Sequence, residues 1–396
     1  MVLPNYKNGS IVNLANTLIK AFDGKPEYGL LAGLDPEIFR GKNVVLLVID
    51  GLGYKFLRKH GQGSFLEKNI SKKITSVFPP STTTAVTALT TGLAPMQHGL
   101  TAWFMYYREL GMIVKTLPFI TRSGKIPLAD FGVKMKKIFN EKSLFRKVKA
   151  VSYVIQDKSY IDSDYSRIIS EGAKRIGYSS LDGFFRAVKT ALKEKTKRKF
   201  VYAYWGMLDY YAHRKGVKSR TAVRHFREID KKVKALAENL KGSNTVLIIT
   251  ADHGLIDTKD KIIKLSGHPK LLETLALPLV GEPRTAYCYV RPEKVKQFES
   301  YVKKYLKKYC TMRKSKDLIK KGYFGPGKAN PKIFDRVGDY ILIMKGNYVI
   351  RDYIEGEDHS VFIGNHGGTS PEEMYVPLII FASKSNKSNK RGQLLS

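Results

Sequence analysis

"NVVLLVID", residues 43–50, sets six consecutive aliphatic side chains in front of an aspartate. A run this short, β-branched and unbroken reads as a strand buried on both faces of a parallel sheet. Three other stretches share its shape: "KFVYAYWGMLD" (199–209), "NTVLIITADHG" (244–254) and "EMYVPLIIF" (373–381). Helical patterns lie between them. "SRTAVRHFREIDKKVKALAENL" (219–240) places Val223, Phe226, Ile229, Val233, Leu236 and Leu240 on one stripe, and "SLDGFFRAVKTALKEK" (180–195) behaves similarly. The alternation predicts an α/β fold, a mixed, mostly parallel sheet sandwiched by helices.

Ligands of such sheets bind beyond the carboxyl ends of the strands. Three of the four runs deliver an aspartate there: Asp50, Asp209 and Asp252. Folding gives no reason to close so apolar a strand with a carboxylate, whose burial is costly without a partner. Three of them point to a shared cation. In "DYYAH", Asp209 and His213 stand four apart and share one face of a helical turn. Asp252 and His253 are adjacent on a turn leaving a strand, and His366, in "IGNHGGTSPEE", sits in a glycine-flanked loop where backbone can approach an ion closely. Three carboxylates and three imidazoles suit zinc or manganese better than calcium. They suffice for two divalent cations, each with three protein ligands and an open position. His98 and His268 read as structural, and His359 is an alternative to His366 without the glycine setting.

"SVFPPSTTTAVTALTTG" (76–92) carries eight hydroxyl side chains ahead of Gly92. One reading is a capped helix, with Ser81 or Thr82 as N-cap, Ala85–Thr91 as its body and Gly92 as its stop. The other makes one hydroxyl a nucleophile at a helix N-terminus, where free N–H groups favour an incoming phosphate. The segment alone leaves both open.

The order of strand-end Asp50, "STTTAVTALTTGLAPMQHG", Asp209 with His213, Asp252-His253 and His366 in "NHGG" resembles the alkaline phosphatase superfamily, in its type I phosphodiesterase or nucleotide pyrophosphatase branch. The matching motifs run from about residue 43 to 380. The resemblance implies an α/β sandwich in which two zinc ions bridge a threonine nucleophile. Carried over by motif position, Asp50, Thr82, Asp252 and His253 would hold one metal, and Asp209, His213 and His366 the other. Thr82 would be the nucleophile because it stands nine residues before the threonine of Thr91-Gly92, with Thr83 the alternative and Ser81 a neighbour. Many nucleotide-cleaving members follow the threonine with Phe-Pro-Asn and carry a later asparagine that helps bind a phosphoryl oxygen. Here those positions read "TTTA" and Trp103, a departure that bears on nucleotide specificity more than on phosphoester hydrolysis. The implied activity is metal-dependent phosphodiester or nucleotide pyrophosphate hydrolysis through a phospho-threonine, on a small phosphoester or nucleotide-like substrate. The rival readings are a phosphomonoesterase or phosphomutase of the same superfamily, and a non-enzymatic polyanion binder on this scaffold.

With 396 residues and 43% hydrophobic content the chain can bury a large core. Residues 1–266 and 358–386 are expected to form the catalytic domain, 267–357 a small α+β cap insertion, and 387–396 a basic, disordered tail. In the cap, Val295, Phe298, Val302 and Tyr305 are expected to face inward from a lysine-rich helix. Cys288 and Cys310 fit neither a disulfide framework nor a metal spacing. No run of about 18 apolar residues occurs and the N-terminus lacks a signal-peptide pattern, so a cytoplasmic protein without a transmembrane segment is expected. The net charge of +34 biases it toward non-specific attraction to polyanions, nucleic acid included.

Overall fold

The computed structural model describes residues 1–193, 198–357 and 361–382. The expected tail and His359 lie outside them. The main sheet contains β1 (Asn43–Ile49), β2 (Ile70–Thr75), β6 (Val151–Asp157), β7 (Ala173–Tyr178), β8 (Lys199–Trp205), β9 (Thr245–Thr250) and β18 (Tyr375–Ala382), in the order β2-β18-β9-β1-β8-β6-β7. The contiguous strands β9, β1, β8, β6 and β7 are parallel, with Leu46 of β1 facing Tyr202 on one side and Ile248 on the other. Helices 181–193 and 220–239 pack their apolar stripes inward, the latter through Phe226, Ile229, Val233 and Leu236. The fourth apolar run, β18, is buried over Val376–Ile379 but antiparallel to both β9 and β2. Strand direction leaves no trace in a continuous apolar run, so the main sheet is mixed at that edge.

A second, antiparallel sheet runs β14 (Cys310–Lys314), β15 (Tyr340–Met344), β13 (Thr285–Cys288), β12 (Val280–Glu282), β3 (Phe104–Tyr107), β4 (Met112–Lys115) and β5 (Ile120–Thr121). It is therefore wider than a segment 267–357 alone: residues 104–121 supply three of its strands, joined where Gly281 pairs with Phe104. Two ribbons tie the layers together, β10 (Ile256–Asp257) with β17 (Gly364–Asn365) and β11 (Ile262–Lys264) with β16 (Val349–Arg351). The lysine-rich helix at 295–301 continues as a π segment at 302–306. Its wider turn keeps Leu306 in line with Phe298 and Val302, so Leu306 enters the core and Tyr305, expected inside, is 50% exposed.

Candidate metal centre

The sheet order explains the site. β1 lies between β8 and β9, so the chain segments leaving three adjacent parallel strands carry Asp50, Asp209 and Asp252 to one edge. Asp50 directly follows β1, and Asp252 stands two residues past the end of β9. Asp209 lies one turn inside the helix Met207–Lys215, which also presents His213 on the same face, its Nε2 3.2 Å from Asp209 Oδ2. His366 arrives from the loop after β17. Its ring stacks on His253 with centroids 3.9 Å apart and stands 5.0 Å from His213.

The six side chains converge. Ligand atoms of Asp209, His253 and His366 lie within 4.8 Å of one another, as do those of Asp50, Asp252 and His253, all buried. Each carboxylate keeps one buried oxygen without a hydrogen-bond partner: Asp50 Oδ1, Asp209 Oδ1 and Asp252 Oδ2. The other oxygens are held. Tyr204 of β8 donates its hydroxyl to Asp50 Oδ2, and Asp252 Oδ1 accepts from the N–H groups of Gly51 and His253 at 3.2 and 2.9 Å. The imidazoles are oriented in the same sense. Nδ1 of His213, His253 and His366 faces the backbone carbonyls of Gly364, Gly254 and Pro80 at 2.7, 3.2 and 3.2 Å. A carbonyl only accepts, so each Nδ1 carries a proton; Nε2 of His253 and of His366 can then offer its lone pair to the centre, while Nε2 of His213 faces Asp209 Oδ2.

The electrostatics are those of carboxylates crowded away from water. Burial, then the neighbouring Asp209 and Asp252, drives the Asp50 carboxyl well above its usual range, and burial raises Asp252 too. Burial would also raise Asp209, but His213 beside it holds its carboxyl well below the usual range, and the same contact outweighs burial to raise His213. His366 is kept neutral by burial and by the two imidazoles next to it. Orphaned carboxylate oxygens aimed at one point, with neutral imidazole nitrogens among them, fit one or two divalent cations and little else.

The hydroxyl-rich segment forms a helix, Thr82–Thr91, with Ser81 at the N-cap position and Gly92 ending it at φ 72°. Half of its six hydroxyls are consumed internally: Thr87, Thr90 and Thr91 bond back to the carbonyls of Thr83, Val86 and Thr87. Thr83 is fully buried. Thr82 stands at the first turn with Oγ1 3.2 Å from His253 Nε2, and Ser81 turns toward Thr84 instead of capping the free N–H groups. His98 lies apart, its Nδ1 accepting from Leu100 N, and His268 bonds Tyr301.

A cavity of about 370 Å³ opens from Ser81, Thr82, Asp209, His213 and His366 toward the second sheet. Trp103, Phe104 and Phe362 give it aromatic walls, with Lys115, Arg122 and Arg351 among them. Arg122 is locked onto Glu357 and the carbonyls of Leu279 and Asp352. Sequence reasoning missed two residues here. Tyr204 was hidden as one aromatic among many in β8, although a hydroxyl inside so buried a strand is itself a signal. Glu282, on the cavity wall, carries no periodic or motif signal; burial pushes its carboxyl up to about 7.

The family described as type I phosphodiesterase / nucleotide pyrophosphatase matches residues 44–369. No curated protein matches the chain. Among solved structures, murine ectonucleotide pyrophosphatase / phosphodiesterase 5 matches with a TM-score of 0.62 at 18% identity, covering 85% of this chain and 87% of that one. The human protein gives 0.62 at 18%, over 86% and 87%. Phosphonoacetate hydrolase from Sinorhizobium meliloti 1021, in complex with phosphonoformate, gives 0.64 at 15%, over 89% and 92%. At these identities the likeness is one of fold.

Proposed function

The chain belongs to the type I phosphodiesterase / nucleotide pyrophosphatase family and is a phosphoester hydrolase; on that premise we propose that it cleaves phosphodiesters or nucleotide pyrophosphates through a phospho-threonine at Thr82. The observation that carries this reading is the convergence of three orphaned carboxylate oxygens and three oriented imidazoles beside the Thr82 hydroxyl. Asp50, Thr82, Asp252 and His253 would hold one divalent cation and Asp209, His213 and His366 the other, zinc first and manganese second; bound there, the pair supplies the charge that activates a hydroxyl and stabilises a departing oxygen.

The chain's own residues supply the rest. The free N–H groups at the start of helix Thr82–Thr91 receive the phosphoryl oxygens. Thr82 Oγ1 gives up its proton and attacks phosphorus, forming an O–P bond as the bond to the leaving group breaks, an alcohol from a diester or a phosphate from a pyrophosphate, which takes up a proton. Water then attacks the same phosphorus and returns the hydroxyl. Trp103, Phe104 and Phe362 surround the organic group, and the cavity has the size of a small ligand site. A nucleotide-like substrate agrees with the AMP held by an inactive variant of the murine relative. We place the protein in the cytoplasm on its sequence alone, and assign weak polyanion attraction to its charge; among the described residues no helix is long and apolar enough to cross a membrane.

The test is a hydrolysis panel of aryl diester, aryl monoester, nucleotide pyrophosphates and phosphonates with added zinc or manganese. Diester turnover abolished by chelator and restored by metal is expected. A tenfold monoester preference would move the assignment to a phosphatase, and salt-dependent DNA retention without any turnover to a binding protein.

A further inference from the structure

Three glutamates are buried around the cavity and the loop that carries His366, and two of them are matched. Glu357 pairs with Arg122 at 2.9 Å, and Glu373 takes both arms of Arg284 at 2.7 and 2.8 Å. Glu282 is the third. It is 4% exposed and lines the cavity beside Ser81 and Thr82, yet among the described residues no lysine or arginine pairs with it. Its Oε1 accepts the N–H of Trp103 at 2.7 Å. A buried carboxyl without a counter-ion opposes folding, so its presence in a cleft calls for another role.

Its placement is built rather than incidental. Gly281, at φ 92°, approaches Thr285 so closely that a Cβ would lie 2.5 Å from that residue's carbonyl. Gly367, at φ 98°, closes the His366 loop over Glu282, where a Cβ would lie 2.6 Å from Glu282 Cβ. Two glycines in left-handed conformations thus let strand β12 and the His366 loop press the carboxyl into the cavity wall. The backbone donor of Trp103 is spent on Glu282, and the cavity wall beside Ser81 and Thr82 thus presents an acid.

We propose that Glu282 is a specificity-determining residue that selects phosphorus centres bearing a single negative charge, repelling the second anionic oxygen of a monoester while tolerating the ester oxygen of a diester. The inference rests on the phosphoester-hydrolase reading of the metal centre. Like charges enclosed together in a water-poor cavity repel far more strongly than in solvent. With its carboxyl near 7 from burial, Glu282 is anionic at pH 8.5, and cations bound beside it would favour that form further.

The experiment compares wild type, E282Q and E282D at pH 8.5 with zinc, using matched aryl diester and monoester and inorganic phosphate as inhibitor. In E282Q the diester-to-monoester ratio of kcat/KM should fall at least tenfold, chiefly through faster monoester turnover, and inhibition by phosphate should tighten by a similar factor. E282D, which keeps the charge, should stay within threefold of wild type on both measures. Zinc content and melting temperature check that the variants are intact, and an unstable E282Q is replaced by E282A with the same expectation. Hydrolysis of both esters with an unchanged ratio in the neutral variant overturns the inference alone. Absence of hydrolysis of either ester by the wild type overturns the underlying reading together with it.

Discussion

Of the eight hydroxyls in residues 76–92, the structure leaves Thr82 facing the centre, whereas Thr83 is enclosed. Thr82→Ala should therefore lose several orders of magnitude in kcat, with Thr82→Ser keeping part of it because the hydroxyl survives. Thr83→Ala should change stability more than rate. A dead Thr83→Ala beside an active Thr82→Ala would shift the nucleophile by one position. His98 gives a prediction of a different kind. Burial, aided by Arg336, pushes it down to about 3, against about 6.5 when unfolded. Between those values the unfolded chain binds more protons, so stability is fully present above pH 6.5 and is lost as pH falls toward 3. Urea midpoints at pH 7.5 and pH 5 should differ less in His98→Gln than in wild type. Both residues show where legibility ends. The six candidate metal-binding side chains announce themselves by their chemistry and Thr82 by its place in the resembling motif, whereas Glu282 is one acid between Gly281 and Pro283, made significant by a pairing with Phe104's strand that no local pattern reports.

At the scale of elements, the site depends on the hairpin β12–β13 as much as on the parallel strands. Thr285 Oγ1 donates to Gly367 O at 2.6 Å, Glu373 accepts from Gly368 N at 2.7 Å, and Arg284 holds Glu373 with two bonds. The loop bearing His366 is thus clamped by the second sheet. Breaking a buried ion pair by removing one partner costs about 3–5 kcal/mol, because the other charge stays buried. Arg284→Met should lower the unfolding free energy by about that amount and weaken binding of metal, read by competition with a chromophoric chelator. Metal binding as tight as wild type would show that the His366 loop is held by other contacts. The lysine-rich helix 295–301 and its π segment bury Phe298, Val302 and Leu306 and leave Lys296, Lys303, Lys304, Lys307 and Lys308 exposed. Replacing those lysines should leave turnover of a small aryl diester nearly unchanged. The helical period foretold Phe298 and Val302 but not the exchange of Tyr305 for Leu306, since a widened turn has no signature in residue spacing.

Over the whole molecule, three of the five adjacent parallel strands, β1, β8 and β9, were readable because each is apolar along its length, whereas β7, "AKRIGY", is not; the second sheet was readable only within 267–357, because β3–β5 and β12–β15 come from segments more than 150 residues apart and meet edge to edge. The consequence is one layered body in which cation binding and global stability are linked. Without cations, Asp50, Asp209 and Asp252 crowd together in a buried space, and burial with that crowding pushes the Asp50 and Asp252 carboxyls above their usual range. A ligand that binds the folded chain alone stabilises it by about 2.7 kcal/mol per site at a hundredfold excess over Kd. Unfolding entropy scales with chain length at about 2 cal/mol/K per residue, so a chain of 396 residues should gain about 3 °C in melting temperature for each site filled. Zinc added to chelator-treated protein should thus raise the midpoint in two saturable increments, and Asp50→Asn should abolish one of them. The +34 charge offers a competing source of stabilisation, since any polyanion relieves self-repulsion. The two separate by salt: stabilisation by DNA or polyphosphate should collapse between 50 and 200 mM salt, as counterion release requires, whereas the zinc increments should persist because their ligands are buried. A zinc effect that disappears with salt, or that survives replacement of both Asp50 and Asp209, would place the cations on the surface and remove the metal centre from the mechanism.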